Sequence, residues 1–139
     1  MPDPRPAAVR PLCIAVAQQA FNNEYVFSED DREITAIQQV TAQLDDALAS
    51  GHRELAERLF LQRGLYRAPA TISRFTDLAE LAPAFHADLQ GLVARCVNEP
   101  MEERRLRREV VHFGKANDAS RAVRQHYEDS PYPRWLRLP

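Results

Sequence analysis

The sequence predicts an all-α fold, a compact bundle of about five or six helices followed by an extended strip of prolines and aromatics. Three observations predict it. Apolar residues recur at steps of three and four, and no segment alternates convincingly with period two. Ten prolines mark segment boundaries while only four glycines are present, a balance that suits helices and argues against a turn-rich β fold. The 139 residues, 45% hydrophobic and 27% charged, fit one globular domain with a real core.

Residues 1–10 read as a flexible, proline-rich arm, and residues 11–128 as the helical domain. Pro11 suits a first helical turn, and Leu12, Ile14, Ala15, Ala17 and Phe21 mark a largely apolar helix to about Asn22. From Asn23 to Phe27 the chain leaves the helix, with Tyr25 and Phe27 expected to turn inward. Ser28 or Asp30 can cap the next helix, and Asp31 and Glu33 complement its dipole. Ile34, Ile37, Val40, Leu44 and Leu48 form its apolar stripe, and Gly51 ends it as a left-handed cap. A third helix spans about Arg53 to Gln62, with Leu55, Leu59 and Phe60 inward and Gly64 as its stop.

Over residues 65–82, Tyr66, Ile72, Phe75 and Leu78 fit either a short helix from near Thr71 or irregular chain over the core. Pro83 opens a helix with Phe85, Leu89, Leu92, Val93, Cys96 and Val97 on one face, closed by Asn98-Glu99-Pro100. An arginine-rich turn or helix follows over residues 101–113. Asn117 or Asp118 caps a last helix to about Glu128, with Ala119, Ala122, Val123 and Tyr127 expected inward. No repeat of about 34 residues is visible, so the chain is not itself a tetratricopeptide array.

Charge is uneven. Residues 1–100 carry 9 basic and 14 acidic side chains, −5, and residues 101–139 carry 9 basic and 6 acidic, +3. The C-terminal third is the part suited to an acidic partner surface. No run approaches ~18 apolar residues, which argues against a membrane span. Arg10 and Pro11 interrupt any signal-like run, and Cys13 and Cys96 read as reduced thiols on apolar helix faces. Together these predict a cytoplasmic protein.

Motifs that carry chemistry are missing. There is no GxG for a nucleotide, no P-loop and no GxSxG turn. His52, His86, His112 and His126 are scattered, without metal-ligand spacing. Asp45-Asp46 and Glu102-Glu103 are sequence neighbours that point apart on a helix. No catalytic residue and no metal ligand is predicted. Arg104-Arg105-Leu106-Arg107-Arg108 is the densest basic cluster, but glutamates flank it, and Glu103 precedes Arg107 by four. Intrahelical ion pairing is the first reading. A partner-protein surface on Arg104, Arg105 and Arg108 is the second, ahead of nucleic acid.

The terminal strip, residues 129–139, holds the best functional candidates: Tyr132, Pro133, Arg134 and Trp135, with Tyr127 just upstream. Its prolines stiffen the backbone and keep it out of helix. It either folds back over the domain's own core or docks on another domain, where Trp and Tyr give large contact area at small entropic cost.

The run Tyr127-Glu128-Asp129-Ser130-Pro131-Tyr132-Pro133-Arg134-Trp135 resembles the motif preceding the catalytic domain of bacterial tetratricopeptide-repeat S-adenosylmethionine-dependent methyltransferases. Asn23-Glu24-Tyr25-Val26-Phe27 and Pro100-Met101-Glu102-Glu103-Arg104-Arg105-Leu106-Arg107 look similar to blocks of the same family, in the same order. The resemblance covers roughly Leu12 to Pro139. It implies a helical middle piece, with repeats upstream and a Rossmann-like domain downstream, neither of which this chain contains. S-adenosylmethionine is then the cofactor of the parent or partner and is not held by this chain. Tyr127, Tyr132 and Trp135 would approach the cofactor or substrate entrance. The expected function is a non-catalytic accessory module of such a methyltransferase, in cis or in trans. Its partners would be the catalytic domain and a protein or peptide substrate, with no nucleic acid and no membrane. A stand-alone interaction domain, or a small enzyme with a cleft near His112, His126 and Glu109, is the alternative.

Overall fold

The computed structural model describes residues 5–109 and 118–129, with side chains over 9–109 and 121–126. Among the described residues the fold is all-α, with no strand. The helices are α1 (Arg5–Asn22), α2 (Asp31–Ala49), α3 (Arg53–Gly64), α4 (Phe75–Leu81), α5 (Gln90–Val93), α6 (Glu99–Glu109) and α7 (Asp118–Asp129). Short 3-10 turns at Pro69–Thr71, Ala82–Ala84 and Ala87–Leu89 link the middle helices. A π turn at Ala94–Asn98 joins α5 to α6.

The core is built where the apolar stripes meet. Ile37, Leu44 and Leu48 of α2 are buried, as are Leu59 and Phe60 of α3 and Phe75 and Leu78 of α4. Phe85, Leu89, Leu92, Val93, Cys96 and Val97 complete it, all on the face the spacing predicted. α2 packs most extensively on α3, and α1 closes over α3 through Ala17 and Phe21. Cys96 is buried and Cys13 half-buried, and neither is joined in a disulfide.

Three helix ends show how local chemistry sets the chain's path. Asp30 caps α2 with a full capping box: its Oδ1 accepts from Glu33 N (2.8 Å), and Glu33 Oε2 accepts from Asp30 N (3.0 Å). α2 ends at Gly51 (φ +68), whose N–H reaches Leu48 O while His52 N–H reaches Ala47 O, the paired bonds of a Schellman motif. α1 ends on the same pair, Glu24 N–H to Phe21 O and Tyr25 N–H to Ala20 O, but Glu24 (φ 55) and Tyr25 (φ 57) occupy the left-handed region instead of glycine. Opposite responses follow. A methyl at Gly51 meets open space, so Gly51→Ala costs only the backbone strain, about 1 kcal/mol. Glu24→Gly is expected to leave stability unchanged or raise it by up to about 1 kcal/mol. Urea denaturation of both variants reads the two signs.

Several expectations are corrected. The chain is already helical at Arg5, so most of the expected loose arm belongs to α1 and Pro11 lies inside it. Arg10 anchors this stretch to α3 and to the turn at Asp88, which holds the helix across the proline. Leu12 is 63% exposed and Ala15 is exposed too, because only the Ala17–Phe21 side of α1 meets α3. Phe27 is exposed and rests edge-on against Tyr66, 5.9 Å between centroids, while Tyr25 packs on the core. Pro83 sits in a 3-10 turn, and the helical run starts later. Pro100 does not close that run. The wider π turn just before it shifts the hydrogen-bond register, with Glu99 N–H reaching back to Ala94 O, and α6 continues through the proline. Ala122 and Val123 of α7 are exposed rather than buried.

Candidate partner-binding surfaces

Two surfaces combine apolar and charged groups. The first is a groove of about 510 Å³ between α2 and the turn that follows α3. Ile34, Ile37 and Ala42 give it an apolar wall; Thr41, Asp45, Arg63 and Thr71 give it polar atoms. Arg63 is 5% exposed, a buried cation on the core side of α3. No carboxylate among the described residues lies within ion-pair distance of it. Instead its Nε donates to Thr41 Oγ1 (3.0 Å), Nη1 to Ala68 O (2.8 Å) and Arg67 O (3.4 Å), and Nη2 to Thr71 Oγ1 (2.8 Å). Burial pushes its guanidinium pKa down, and the nearby Tyr25 and Asp45 side chains act against that. Asp45 accepts from Ser73 Oγ through Oδ2 (3.0 Å), while its Oδ1 is buried and accepts no hydrogen bond from the described residues.

One end of this region is held by Arg67, which pairs with Glu29 and donates to Tyr66 O. Tyr66 in turn donates to Glu33 Oε1 at 3.3 Å. The Glu29 hydrogen bonds raise the Arg67 pKa and lower that of Glu29. The start of α2 is thereby fixed to the end of α3.

The second surface is on α6. α6 buries no residue, and Leu106 is 45% exposed. At its root Arg104 lies 4.5 Å over the Phe75 ring and donates to Ala70 O at 2.6 Å. Arg105 pairs with Glu102 (2.5 Å) and Glu109 (3.0 Å). Arg108 has no ion-pair partner among the described residues. The three arginines nevertheless line one groove of about 500 Å³, with Met101 and Ala79 as its apolar part. On α7, Val123 is 57% exposed and residues 121–126 all face solvent.

The structure thus brings Arg104, Arg105 and Arg108 together, as the cluster in the sequence suggested. It gives Arg104 a structural contact and Arg105 the ion pairs expected of flanking glutamates, with Glu102 and Glu109 as the partners. Tyr132, Pro133, Arg134 and Trp135 lie outside the described residues, and so does the side chain of Tyr127 at the end of α7. Of the expected cleft groups, Glu109 is engaged by Arg105, His126 is exposed, and His112 lies outside the described residues. Among the described residues no cluster of His, Cys, Asp and Glu could hold a metal ion, and no helix is long and apolar enough to cross a membrane. Sequence reasoning missed Arg63 and Asp45. Arg63 follows Leu59 by four on the inward face of α3, a charge in a core position, and that spacing was its available signal.

A third charged cluster is structural. Arg10 donates to Asp88 Oδ2 (2.7 Å) and to Glu57 Oε1 (2.6 Å), and Glu57 Oε2 accepts from His86 N (2.8 Å). The Arg10 hydrogen bond holds the Asp88 carboxyl down to about 2, with His86 adding to it. A depressed carboxylate contributes stability above its unfolded pKa and loses it as pH falls through the folded value, here between about pH 4 and 2. Asp88 is partly exposed, so Asp88→Asn should cost at most about 1 kcal/mol at pH 7. Denaturation of both proteins at pH 7 and pH 2 should show that difference shrink at the lower pH, where the Asp88 carboxyl is about half protonated.

No protein-family model, no characterised protein and no solved structure matches this chain.

Proposed function

We propose that this chain is a non-catalytic helical module of an S-adenosylmethionine-dependent methyltransferase, working in the cytoplasm in cis or in trans with the catalytic domain. The observation that carries the reading is a pair of exposed apolar side chains. Leu106 on α6 and Val123 on α7 stand in solvent, and α7 runs into the motif from Tyr127 to Trp135. A helix of about 12 residues is marginal without tertiary burial, and α7 has 12 residues with Ala122 and Val123 exposed. A partner surface covering those side chains would stabilise it. The arginine groove at the root of α6 offers charge for acidic residues at the rim of the same contact. The resemblance names the partner: the methyltransferase domain, with the strip reaching its cofactor or substrate entrance. S-adenosylmethionine belongs to that domain in this reading.

Association is tested by calorimetric titration of the chain with a catalytic domain of the resembled family. Binding is expected, and the double variant Leu106→Glu, Val123→Glu is expected to weaken it at least about tenfold. The same variant should leave the unfolding free energy within about 0.5 kcal/mol, since neither side chain is buried in this chain. Undiminished binding by the double variant would remove these side chains from the contact. Tight binding of S-adenosylmethionine by this chain alone would contradict the non-catalytic assignment.

A further inference from the structure

We propose that the groove between α2 and the turn after α3 binds a neutral amide carried on a segment of a partner polypeptide, with Arg63 as donor and Asp45 as acceptor. A guanidinium has five N–H donors. The four hydrogen bonds of Arg63 leave one Nη2 N–H without an acceptor among the described residues. Asp45 Oδ1 is the matching acceptor without a donor. Both residues line the same groove. An unmatched buried donor and an unmatched buried acceptor each carry a desolvation cost, and a ligand that satisfies both recovers it.

Charge decides which ligand that is. A carboxylate would suit Arg63 but would be opposed by Asp45. An ammonium would suit Asp45 but would be opposed by Arg63 and Arg67. An amide offers one carbonyl and one N–H and brings no charge that either side chain would oppose. A peptide bond and an Asn or Gln side chain share that chemistry.

Access runs past Thr71, an exposed residue whose Oγ1 accepts from Arg63 Nη2 at 2.8 Å, and through half-buried Asp45, whose buried Oδ1 has to turn toward the groove about its broad terminal torsion. Ile34, Ile37 and Ala42 supply the apolar wall for flanking side chains. The volume of about 510 Å³ falls within the ~300–1,000 Å³ of ligand clefts. The inference rests on the partner-binding reading only for the source of the peptide, and it involves none of the α6–α7 residues.

The test is an NMR titration of the 15N-labelled full chain with a capped pentapeptide that has asparagine at its centre and leucine on either side. Counterparts carry alanine, aspartate or lysine at the centre. Saturable shifts at Thr41, Asp45, Thr71 and the Arg63 Nε–H are expected, with a Kd of roughly 1 mM. Equal binding of the asparagine and alanine peptides assigns the main-chain amide; preference for asparagine assigns the side chain. Asp45→Ala should weaken binding about two- to tenfold while moving the melting temperature by less than about 5 °C. Should that variant unfold, Ala42→Met, an exposed change that fills the groove, decides in its place.

Four results would overturn the proposal. The first is an absence of shifts up to about 10 mM peptide. The second is an aspartate or lysine peptide that binds as well as the neutral ones. The third is undiminished binding by Ala42→Met. The last is a Trp135 emission change on adding peptide, which would assign the groove to the chain's own terminal strip. Failure here leaves catalytic-domain binding through Leu106 and Val123 intact, so the two readings fail separately.

Discussion

Replacing Phe60 with alanine is expected to lower the unfolding free energy by about 3–5 kcal/mol, the range at the top of the scale for core truncations. Phe60 is 0% exposed and lies midway along α3, the helix that α1 and α2 both cover. Its ring sits 5.6 Å from that of Phe85, tilted at 49°, so the change empties a site walled by α3 and the segment before α5. A closely packed wall relaxes only in part, and the cost is lost transfer energy plus the remaining cavity. Native domains are stable by about 5–15 kcal/mol, so the variant stands near the edge of folding at physiological temperature. Urea denaturation followed by circular dichroism measures it, with Leu106→Ala as the contrast. Leu106 is half exposed on α6, and its removal should move stability by no more than about 0.5 kcal/mol. Comparable losses at both positions would mean that α6 packs against the body far more than its exposure indicates.

Arg63→Lys is expected to cost about 2–4 kcal/mol, an effect second only to the loss of Phe60. The guanidinium reaches Thr41, Ala68 and Thr71 at once because its donors are spread over a planar fork. An ammonium concentrates its donors at one point and cannot serve all three. It also keeps a buried charge with no carboxylate in ion-pair contact among the described residues. Arg63→Met orphans the same acceptors but buries no charge, so it should destabilise less than the lysine variant. Thermal melts of the three proteins give the order arginine, methionine, lysine from most to least stable. A lysine variant more stable than the methionine variant would mean that the charge, rather than the fork geometry, holds Thr41 and Thr71 together.

The parts of the fold governed by local rules were legible in the sequence. A polar cap before α2, the three- and four-residue steps of Ile37, Leu44 and Leu48, and the left-handed stop at Gly51 were readable; the choice of Asp30 over Ser28 and its reciprocal bond with Glu33 came with the structure. The buried face from Phe85 to Val97 was equally readable, because period and burial agree there. Other features depend on tertiary context. Pro11 and Pro100 read as boundaries, yet both lie inside helices: one beside an ion-pair anchor, the other just after a π turn that changes the register. Leu12 and Val123 look like core residues by type, but both are more than half exposed. Glu24 and Tyr25 adopt left-handed backbone that sequence pattern assigns to glycine.

The candidate sites divide in the same way. The arginine cluster of α6 was visible because it is contiguous; the spacing pointed to Glu103 and Arg107, whereas the structure pairs Arg105 with Glu102 and Glu109. The Arg63–Asp45 groove was not visible, since its polar atoms come from three separate segments. Only the placement of Arg63 among Leu59 and Phe60 hinted that a buried cation was being kept on the inward face.

Trp135 is the only tryptophan in the chain, which lets one fluorescence titration address the proposed docking. Adding the methyltransferase domain should shift its emission to shorter wavelength and saturate together with the calorimetric binding curve, as an indole leaves water for a protein surface. Emission that stays fixed while the two proteins bind, or proteins that do not associate at all, would contradict the account.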